Sequence, residues 1–188
     1  MARNKNNILA RGFSGAVGKQ LVLRTSGERT FLANRPSKNP NRVPTPAQEA
    51  VQLKFRESVI YAKAAIQDPA LKLDYQAAAR PGQSAFNVAF NDAYKGPELS
   101  NLNTEAYAGN PGDTITVRAI DNFFIDSVRI SILDSTGSVL EEGAATPNAN
   151  GLDFSYTVAQ SNASLPGTTI RAVAEDLPKN RTILDKVL

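Results

Sequence analysis

The sequence contains no cysteine, which excludes a disulfide framework, a thiolate nucleophile and a zinc site with sulfur ligands. It also contains no histidine, the residue that most often serves as a general base or a metal ligand. Carboxylates, lysine or tyrosine could still support catalysis, yet their spacing matches no catalytic motif. We therefore predict that the protein is not an enzyme, and that it has no catalytic residues, no metal site, no cofactor and no small-molecule substrate.

Long hydrophobic runs are also missing. No apolar stretch approaches the length of a membrane span, and the residues after Met1 are basic and polar, unlike a secretory signal. We therefore expect no membrane partner and no secretion by a signal peptide. Hydrophobic residues nevertheless make up 41% of the 188 residues, so a packed core is possible.

The stretch GFSGAVGKQ, residues 12–20, has the glycines and the lysine of a phosphate-binding loop but not their spacing. A P-loop has a glycine five residues before its Gly-Lys pair, and Phe13 occupies that position. The residue after the lysine also lacks the hydroxyl that would bind magnesium. We therefore interpret Gly12, Gly15 and Gly18 as positions of positive φ or of close backbone approach.

Acidic residues are scarce in the first third of the chain. Residues 1–66 contain twelve Lys and Arg but three Asp and Glu, a net charge of +9, whereas residues 67–188 have a net charge of −6. This asymmetry indicates two functional parts, of which the first meets an acidic protein surface or a nucleic acid. Within residues 1–46 only Phe13 and Phe31 could stack on bases, which favours a solvated face or a surface for an acidic protein over a nucleic-acid site.

The basic part divides into an arm, a hairpin and a connector. Residues 1–11 form the arm, and residues 19–34 predict a β-hairpin because two strand-like runs flank a Ser-Gly-Glu turn. Residues 35–46 contain four prolines and predict an extended connector. The residues that we expect to contact a partner are Arg3, Lys5, Arg11, Gly12, Gly15, Gly18, Lys19, Arg24, Arg29, Arg35, Lys38 and Arg42.

Three helices are predicted next, over residues 46–66, 69–79 and 84–95, from apolar periodicity and from Pro, Ser and Gly signals at their ends. Asp68-Pro69 opens the second, and Ser84 caps the third. The predicted buried face of the first helix contains Val51, Phe55, Val59, Ala62 and Ile66. In the third helix we expect Phe86, Phe90 and Tyr94 to belong to the core.

From about residue 106 the hydrophobic period changes to two, which is typical of β-strands. Strands are predicted over residues 114–119, 127–132, 138–143, 152–158, 168–174 and 182–188. The predicted inward side chains are Ile115, Val117, Val128, Ile130, Ile132, Phe154, Tyr156, Val158, Ile170, Ala172 and Ala174. Turn signals between the strands predict a small antiparallel β-sandwich of the immunoglobulin-like kind, without the Cys and Trp core of antibody domains.

The fold class predicted from the sequence is therefore α+β, with an N-terminal hairpin, about three helices and a C-terminal immunoglobulin-like sandwich. The corresponding domain organisation is residues 1–45, 46–100 and 106–188.

Some acidic and aromatic residues of the strand region leave other interpretations open. Calcium could bind between strands through turn carboxylates, but no calcium-loop motif is present. The candidates for such binding are Asp121, Asp126, Asp134 and Asp153. The pair Glu141-Glu142 is interpreted as a solvated strand end. An adhesin would need exposed aromatic residues in the sandwich loops, where only Phe123 and Phe124 occur.

Residues 12–95 resemble an uncharacterised family that occurs in one large group of gut and aquatic bacteria and in their phages and prophages. The shared positions are Gly15, Gly18, Val22, Gly27, Arg35, Pro36, Pro44, Thr45, Gln48, Gln52, Lys54 and Phe55. The chain departs from this pattern at Leu23-Arg24, where such members often have an aromatic residue. The strand region is also similar to the immunoglobulin-like modules that phages append to structural proteins.

The resemblance implies a structural role in a phage virion or a phage-derived particle, as an auxiliary capsid, connector or tail protein. Its partners would be copies of itself or other particle subunits, and its location would be the cytoplasm before assembly and the particle afterwards. Unpaired hairpin edges would add to a neighbour's sheet. The alternative function is nucleic-acid binding through residues 1–66.

Overall fold

The computed structural model describes residues 2–4, 13–26, 29–36 and 43–188. The chain divides into two compact units, residues 1–45 and residues 46–188. The described elements are three helices and three four-stranded antiparallel sheets, which confirms the α+β class.

The first unit contains a four-stranded sheet. Its strands are β1 (Ala2–Asn4), β2 (Gly15–Val17), β3 (Leu21–Ser26) and β4 (Arg29–Asn34). The predicted hairpin is confirmed, because β3 pairs with β4 from Leu21 opposite Asn34 to Ser26 opposite Arg29. The strand order β1-β4-β3-β2 adds a strand on each side of the hairpin that the sequence did not predict.

The three predicted helices are confirmed to within two residues at each end. They are α1 (Pro46–Ala65), α2 (Pro69–Ala77) and α3 (Ala85–Tyr94). Asp68 caps α2 by accepting hydrogen bonds from the backbone amides of Ala70 and Leu71, and Ser84 caps α3 through the amide of Asn87. The cap residues therefore fix where the second and third helices begin.

The predicted buried face of α1 is wrong in its first half. Val51 and Phe55 are 56% and 54% exposed, and burial begins at Ser58 and continues through Ala62 and Ala65. Length accounts for Val51 but not for Phe55, which still contacts Phe90 of α3: α1 has 20 residues whereas α3, the helix that packs along it, has ten. At about 1.5 Å per residue, α3 can cover only about half of α1.

Two further sheets follow the helices. Their strands are β5 (Glu98–Asn103), β6 (Thr114–Ile120), β7 (Ile125–Leu133), β8 (Val139–Ala144), β9 (Thr146–Pro147), β10 (Asp153–Thr157), β11 (Thr169–Asp176) and β12 (Arg181–Val187). One sheet has the order β5-β6-β10-β9 and the other has the order β12-β11-β7-β8. All six predicted strands are present, and β5 and β9 are additions.

The two sheets share one hydrophobic core, because their buried residues form a single cluster. Every residue of the predicted inward set is buried except Phe154, which is half-buried and packs against the cluster. Period-two alternation was sufficient to identify these residues, since each strand has one face in the core.

The helices pack against one end of this sandwich and belong to the same compact unit. A second cluster contains Tyr75 and small side chains of α1 and α3, and Phe123 and Leu177 from sandwich turns pack against it. The amide of Asn180 donates to the backbone carbonyl oxygens of Asp92 and Ala93 at 3.4 and 3.3 Å. These contacts fasten the end of α3 to the turn between β11 and β12.

Candidate functional site

Two predicted contact residues, Arg24 on β3 and Arg29 on β4, lie on the same face of the N-terminal sheet. Arg24 on β3 lies opposite Phe31 on β4. Ser26, two residues after Arg24 on β3, lies opposite Arg29 on β4. Residues two apart on a strand share a face, so both guanidinium groups project on one side. Both arginines are exposed and Phe31 is half-buried. We call this the basic face.

Lys19 and Arg35 lie together at the other end of the hairpin. Lys19 is in the turn between β2 and β3, and the backbone amide of Arg35 donates to the carbonyl oxygen of Gln20 at 2.6 Å. Both side chains are exposed. The described cations of the first unit are therefore distributed over both ends of one small sheet.

Gly15 and Gly18 have the positive φ angles that we predicted, +135° in β2 and +63° in the following turn. A Cβ atom built at either position would meet no atom within 4 Å. Close approach of another part of this chain therefore does not explain these glycines, whereas backbone conformation does.

The remaining predicted contact residues have little or no described structure. Arg3 lies on β1, where its Cα is paired with that of Phe31. The other predicted positions lie outside the described residues, and they are Lys5, Arg11, Gly12, Lys38 and Arg42.

The edges of the N-terminal sheet differ from the prediction. Both edges of the β3–β4 hairpin are paired, one with β2 and the other with β1. A neighbour's strand therefore cannot pair along the whole hairpin, because β2 occupies residues 21–23 of β3 and β1 occupies residues 30–32 of β4. In the described ranges the outer strands are β1 and β2, and all three residues of β2 are exposed.

Four large apolar side chains of α1 are exposed, and they lie on two opposite faces of the helix. Val51 and Phe55 share the face of the buried Ala62, and the ring of Phe55 contacts Phe90 edge-on, with ring centroids 5.0 Å apart. Leu53 and Ile60, which are 53% and 63% exposed and seven residues apart, share the opposite face. We call Leu53 and Ile60 the α1 surface.

Three carboxylates that are far apart in sequence meet where the helices join the sandwich. They are Asp92 on α3, Asp121 just after β6 and Asp176 at the end of β11, and we call them the carboxylate cluster. Asp92 and Asp176 have no exposed surface, and Asp121 is half-buried. One oxygen from each lies within 4.8 Å of the others.

Each carboxylate of the cluster also accepts hydrogen bonds from residues outside the cluster. Tyr75 donates its hydroxyl to Oδ2 of Asp92 at 2.6 Å. Oδ2 of Asp121 accepts the amides of the next turn, from Phe123 and Phe124, at 3.0 and 3.1 Å. Asp176 accepts the backbone and side-chain amides of Asn180 at 2.6 and 2.7 Å.

The electrostatics of the cluster reflect its burial. The pKa of Asp92 is raised to about 7, chiefly by burial. The charges of Asp121 and Asp176 and a hydrogen bond with Asp121 contribute to the rise, and the Tyr75 hydrogen bond opposes it. Burial also raises the pKa of Asp176 above its ordinary value, although its hydrogen bonds with Asn180 oppose the increase. Three negative charges at this buried site are therefore unfavourable unless a proton or a cation compensates them.

The other turn carboxylates considered for calcium have local partners. Asp126 pairs with Lys179, and Asp153 pairs with Arg118, at 2.7 and 2.8 Å. Asp134 accepts hydrogen bonds within its own turn, from Thr136 and Ser138. Of the four candidates, Asp121 is the one that joins other carboxylates.

The interpretation of Glu141-Glu142 as a solvated pair is wrong for Glu141. Glu142 is exposed and pairs with Arg129 at 2.6 Å. Glu141 is only 7% exposed and accepts hydrogen bonds from the Tyr156 hydroxyl and from the backbone amides of Ala159 and Gln160. The strand alternates, so the first glutamate of the pair faces inward and the second outward.

The two phenylalanines considered for an adhesin have different environments. Phe123 packs on Tyr75, with ring centroids 4.3 Å apart, and belongs to the helical core. Phe124 is 56% exposed and lines an apolar groove with Ile125 and Leu152. A single exposed ring leaves the adhesin interpretation with little support.

None of the helices in the described ranges has the length and apolarity needed to span a bilayer.

Sequence reasoning found the described basic residues but missed the carboxylate cluster. Asp92 lies within a helical pattern. Asp121, just after β6, and Asp176, at the end of β11, lie 55 residues apart, so no spacing connects the three. One signal was present: Asp92 falls on the apolar side of α3, between Ala89 and Ala93. A carboxylate at such a position must have a buried partner.

No protein-family model matches this chain, and a search of curated proteins finds no significant match.

Proposed function

We propose that the protein is a non-enzymatic structural component of a phage virion or a phage-derived particle, and that its N-terminal sheet docks on a neighbouring copy. The observation that carries this proposal is the combination of the basic face and the exposed outer strand β2 in one small sheet. The resemblance of residues 12–95 to a phage and prophage family supplies the biological context.

Charge complementarity favours a second copy as the partner. Residues 1–45 have a net charge of +8 and residues 46–188 a net charge of −5. The N-terminal sheet of one copy would therefore be attracted to the larger unit of the next, because unlike charges steer association. Repeated head-to-tail contacts of this kind build rings or filaments.

Strand addition would supply the specific contact. An outer strand has free backbone donors and acceptors along one side, and a neighbouring strand can pair with them. The exposed strand β2 has this geometry, and its residues Gly15, Ala16 and Val17 have small or medium-sized side chains that would not obstruct a partner. The α1 surface would add apolar burial to the same assembly.

We propose that the C-terminal sandwich is an immunoglobulin-like module of the kind that is appended to such subunits. Its strand orders, β5-β6-β10-β9 and β12-β11-β7-β8, correspond to the ABED and GFC arrangement of that fold with one extra strand beside C. This correspondence supports the fold assignment and supplies only context for the function.

Nucleic-acid binding is the second candidate, and the basic face is the observation that favours it. Arg24 and Arg29 project beside Phe31, and a cationic sheet face with an aromatic ring is a form of single-strand platform. The two candidates differ in salt dependence. Phosphate contacts weaken steeply as salt rises, whereas strand addition and apolar burial do not.

Hydrogen exchange at two protein concentrations tests the docking proposal. We expect the amides of residues 13–26 to become more protected at high concentration, because their outer strand pairs with a neighbour, while the sandwich strands change little. Equal protection of residues 13–26 at both concentrations would contradict docking through this sheet. Anisotropy of a labelled DNA oligonucleotide under the same conditions tests the second candidate.

A further inference from the structure

The carboxylate cluster has the spacing of a cation site. Its three oxygens come from three separate elements and lie within 4.8 Å of one another. Oxygens bound to one Ca²⁺ at about 2.3–2.6 Å can be at most about 5 Å apart. The three aspartates therefore need no large movement to share one ion.

Two oxygens in the cluster have no protein hydrogen-bond donor, and they belong to different residues. They are Oδ1 of Asp92 and Oδ1 of Asp121. Asp92 is fully buried, so its unpaired oxygen is held away from solvent. A buried acceptor without a partner is rare and costly, and here it points to a bound ligand.

The charge of the cluster favours a cation over a water molecule or over one proton shared between Asp92 and Asp121. None of the ion pairs found within the described parts of the chain involves Asp92, Asp121 or Asp176. A water molecule would donate hydrogen bonds but would leave the charge uncompensated. One shared proton would neutralise one carboxylate of three, whereas a divalent cation compensates two charges at once.

We propose that Asp92, Asp121 and Asp176 bind one divalent cation, and that this cation is Ca²⁺. All-oxygen ligands select hard cations, and Ca²⁺ accepts irregular geometry with six to eight ligands, whereas Mg²⁺ requires a near-ideal octahedron. The half-buried Asp121 gives the ion a route to solvent, and solvent molecules on that side would complete its coordination.

The ion would fasten three parts of the molecule together. Asp92 belongs to the helices, Asp121 to the turn between β6 and β7, and Asp176 to the turn between β11 and β12. Calcium would therefore set the attachment of the helices to the sandwich. This site differs from the sequence prediction of no metal, and it does not depend on the proposed role in a particle.

Isothermal titration of CaCl₂ into the EDTA-treated full-length chain tests the site, with MgCl₂ as the comparison. We expect one Ca²⁺ per chain and a higher Tm with Ca²⁺ than with EDTA. Asp121→Asn should weaken Ca²⁺ binding at least about tenfold, because it removes a charged ligand. Asp74→Asn, a matched change on the exposed side of α2, should leave the binding unchanged.

A second variant separates calcium binding from a purely structural role. Asp92→Asn keeps an acceptor for the Tyr75 hydroxyl and removes one charge from the cluster. We expect its Tm in EDTA to equal or exceed that of the wild type, and its response to Ca²⁺ to be lost. Absence of Ca²⁺ binding by the wild type would overturn the proposal, and so would unchanged Ca²⁺ binding by Asp121→Asn.

Discussion

Tyr156 donates its hydroxyl to Oε1 of Glu141 at 2.5 Å, and this hydrogen bond joins the two sheets of the sandwich. Tyr156 lies on β10 of one sheet and Glu141 on β8 of the other. The same carboxylate also accepts the backbone amides of Ala159 and Gln160 at 2.7 and 2.9 Å. A buried charge is thus held by three donors without a cation.

The Glu141 carboxylate should make the fold sensitive to acid. Burial alone would raise the pKa of Glu141, but the hydrogen bonds from Tyr156 and from the two amides outweigh burial and lower it below its ordinary value of 4.5. A lowered pKa in the folded state means that the stabilisation is complete above the unfolded-state pKa. It is lost as the pH falls through the folded-state pKa.

Glu141→Gln should therefore lower the free energy of unfolding at pH 7 by about 1–3 kcal/mol. The difference from the wild type should shrink as the pH falls through the lowered folded-state pKa of Glu141, because the carboxyl group is then neutral like the amide. Urea unfolding across this pH range measures the difference in the free energy of unfolding between Glu141→Gln and the wild type. Glu142→Gln is the control, since Glu142 is exposed and its loss should matter little. A constant difference between Glu141→Gln and the wild type at all pH values would be inconsistent with this account.

Gly143 is expected to be essential for the packing of Tyr156. A Cβ atom at Gly143 would lie 2.4 Å from Cε2 of the Tyr156 ring and 2.9 Å from its hydroxyl oxygen. Gly143→Ala should therefore lower the free energy of unfolding by about 1–3 kcal/mol, the usual cost of overpacking a core.

The double variant Gly143→Ala with Tyr156→Leu tests the cause of that loss. Since leucine lacks the ring that obstructs the methyl group, the combined loss of stability should be smaller than the sum of the two single losses. Strict additivity in urea unfolding would show that the ring is not the obstacle.

The Tyr75 hydroxyl should stabilise the junction between the helices and the sandwich. It donates to Asp92 and lies 2.9 Å from the hydroxyl of Tyr61. Tyr75→Phe leaves the ring in contact with Phe123 and removes the donor, so the free energy of unfolding in EDTA should fall by about 1–3 kcal/mol. Tyr94→Phe is the matched control, because Tyr94 makes ring contacts and is half-exposed. Equal losses in the two variants would argue against a role of the Tyr75 hydroxyl.

The outer strand β2 offers a direct test of strand addition. A lysine on an outer strand hinders pairing with a neighbour, so Ala16→Lys should weaken self-association about tenfold or more without unfolding the exposed strand. Ala47→Lys adds the same charge at an exposed position of α1 and should have little effect. Analytical ultracentrifugation gives the dissociation constants of the Ala16→Lys and Ala47→Lys variants for comparison. Equal weakening would indicate a general effect of charge.

The sequence predicted the secondary structure well where local physics decides it. The bounds of α2 and α3 follow from Asp68 and Ser84, whose side chains cap the first turns. The core strands follow from strict alternation, because each has one face in the interior. The strands β1, β2 and β9 were missed because two or three residues are too few for a period, and β5 was missed because its sequence ELSNLN does not alternate.

The features that the sequence did not predict depend on partners that are distant along the chain. The exposure of Val51 follows from the length of a different helix, α3. The burial of Glu141 depends on Tyr156, and the cluster formed by Asp92 and Asp176 depends on how the helices meet the sandwich. Such contacts are set by tertiary packing, which periodicity and spacing do not encode.

Sedimentation velocity of the full-length chain beside residues 46–188, at low and high salt, tests the central claim most directly. The account predicts that the full-length chain forms discrete oligomers that persist at high salt, because strand pairing and apolar contacts hold them. Residues 46–188 should remain monomeric. Monomers of both chains under all conditions would contradict docking through the N-terminal sheet, and oligomers that dissociate at high salt would show that charge attraction rather than strand pairing holds them.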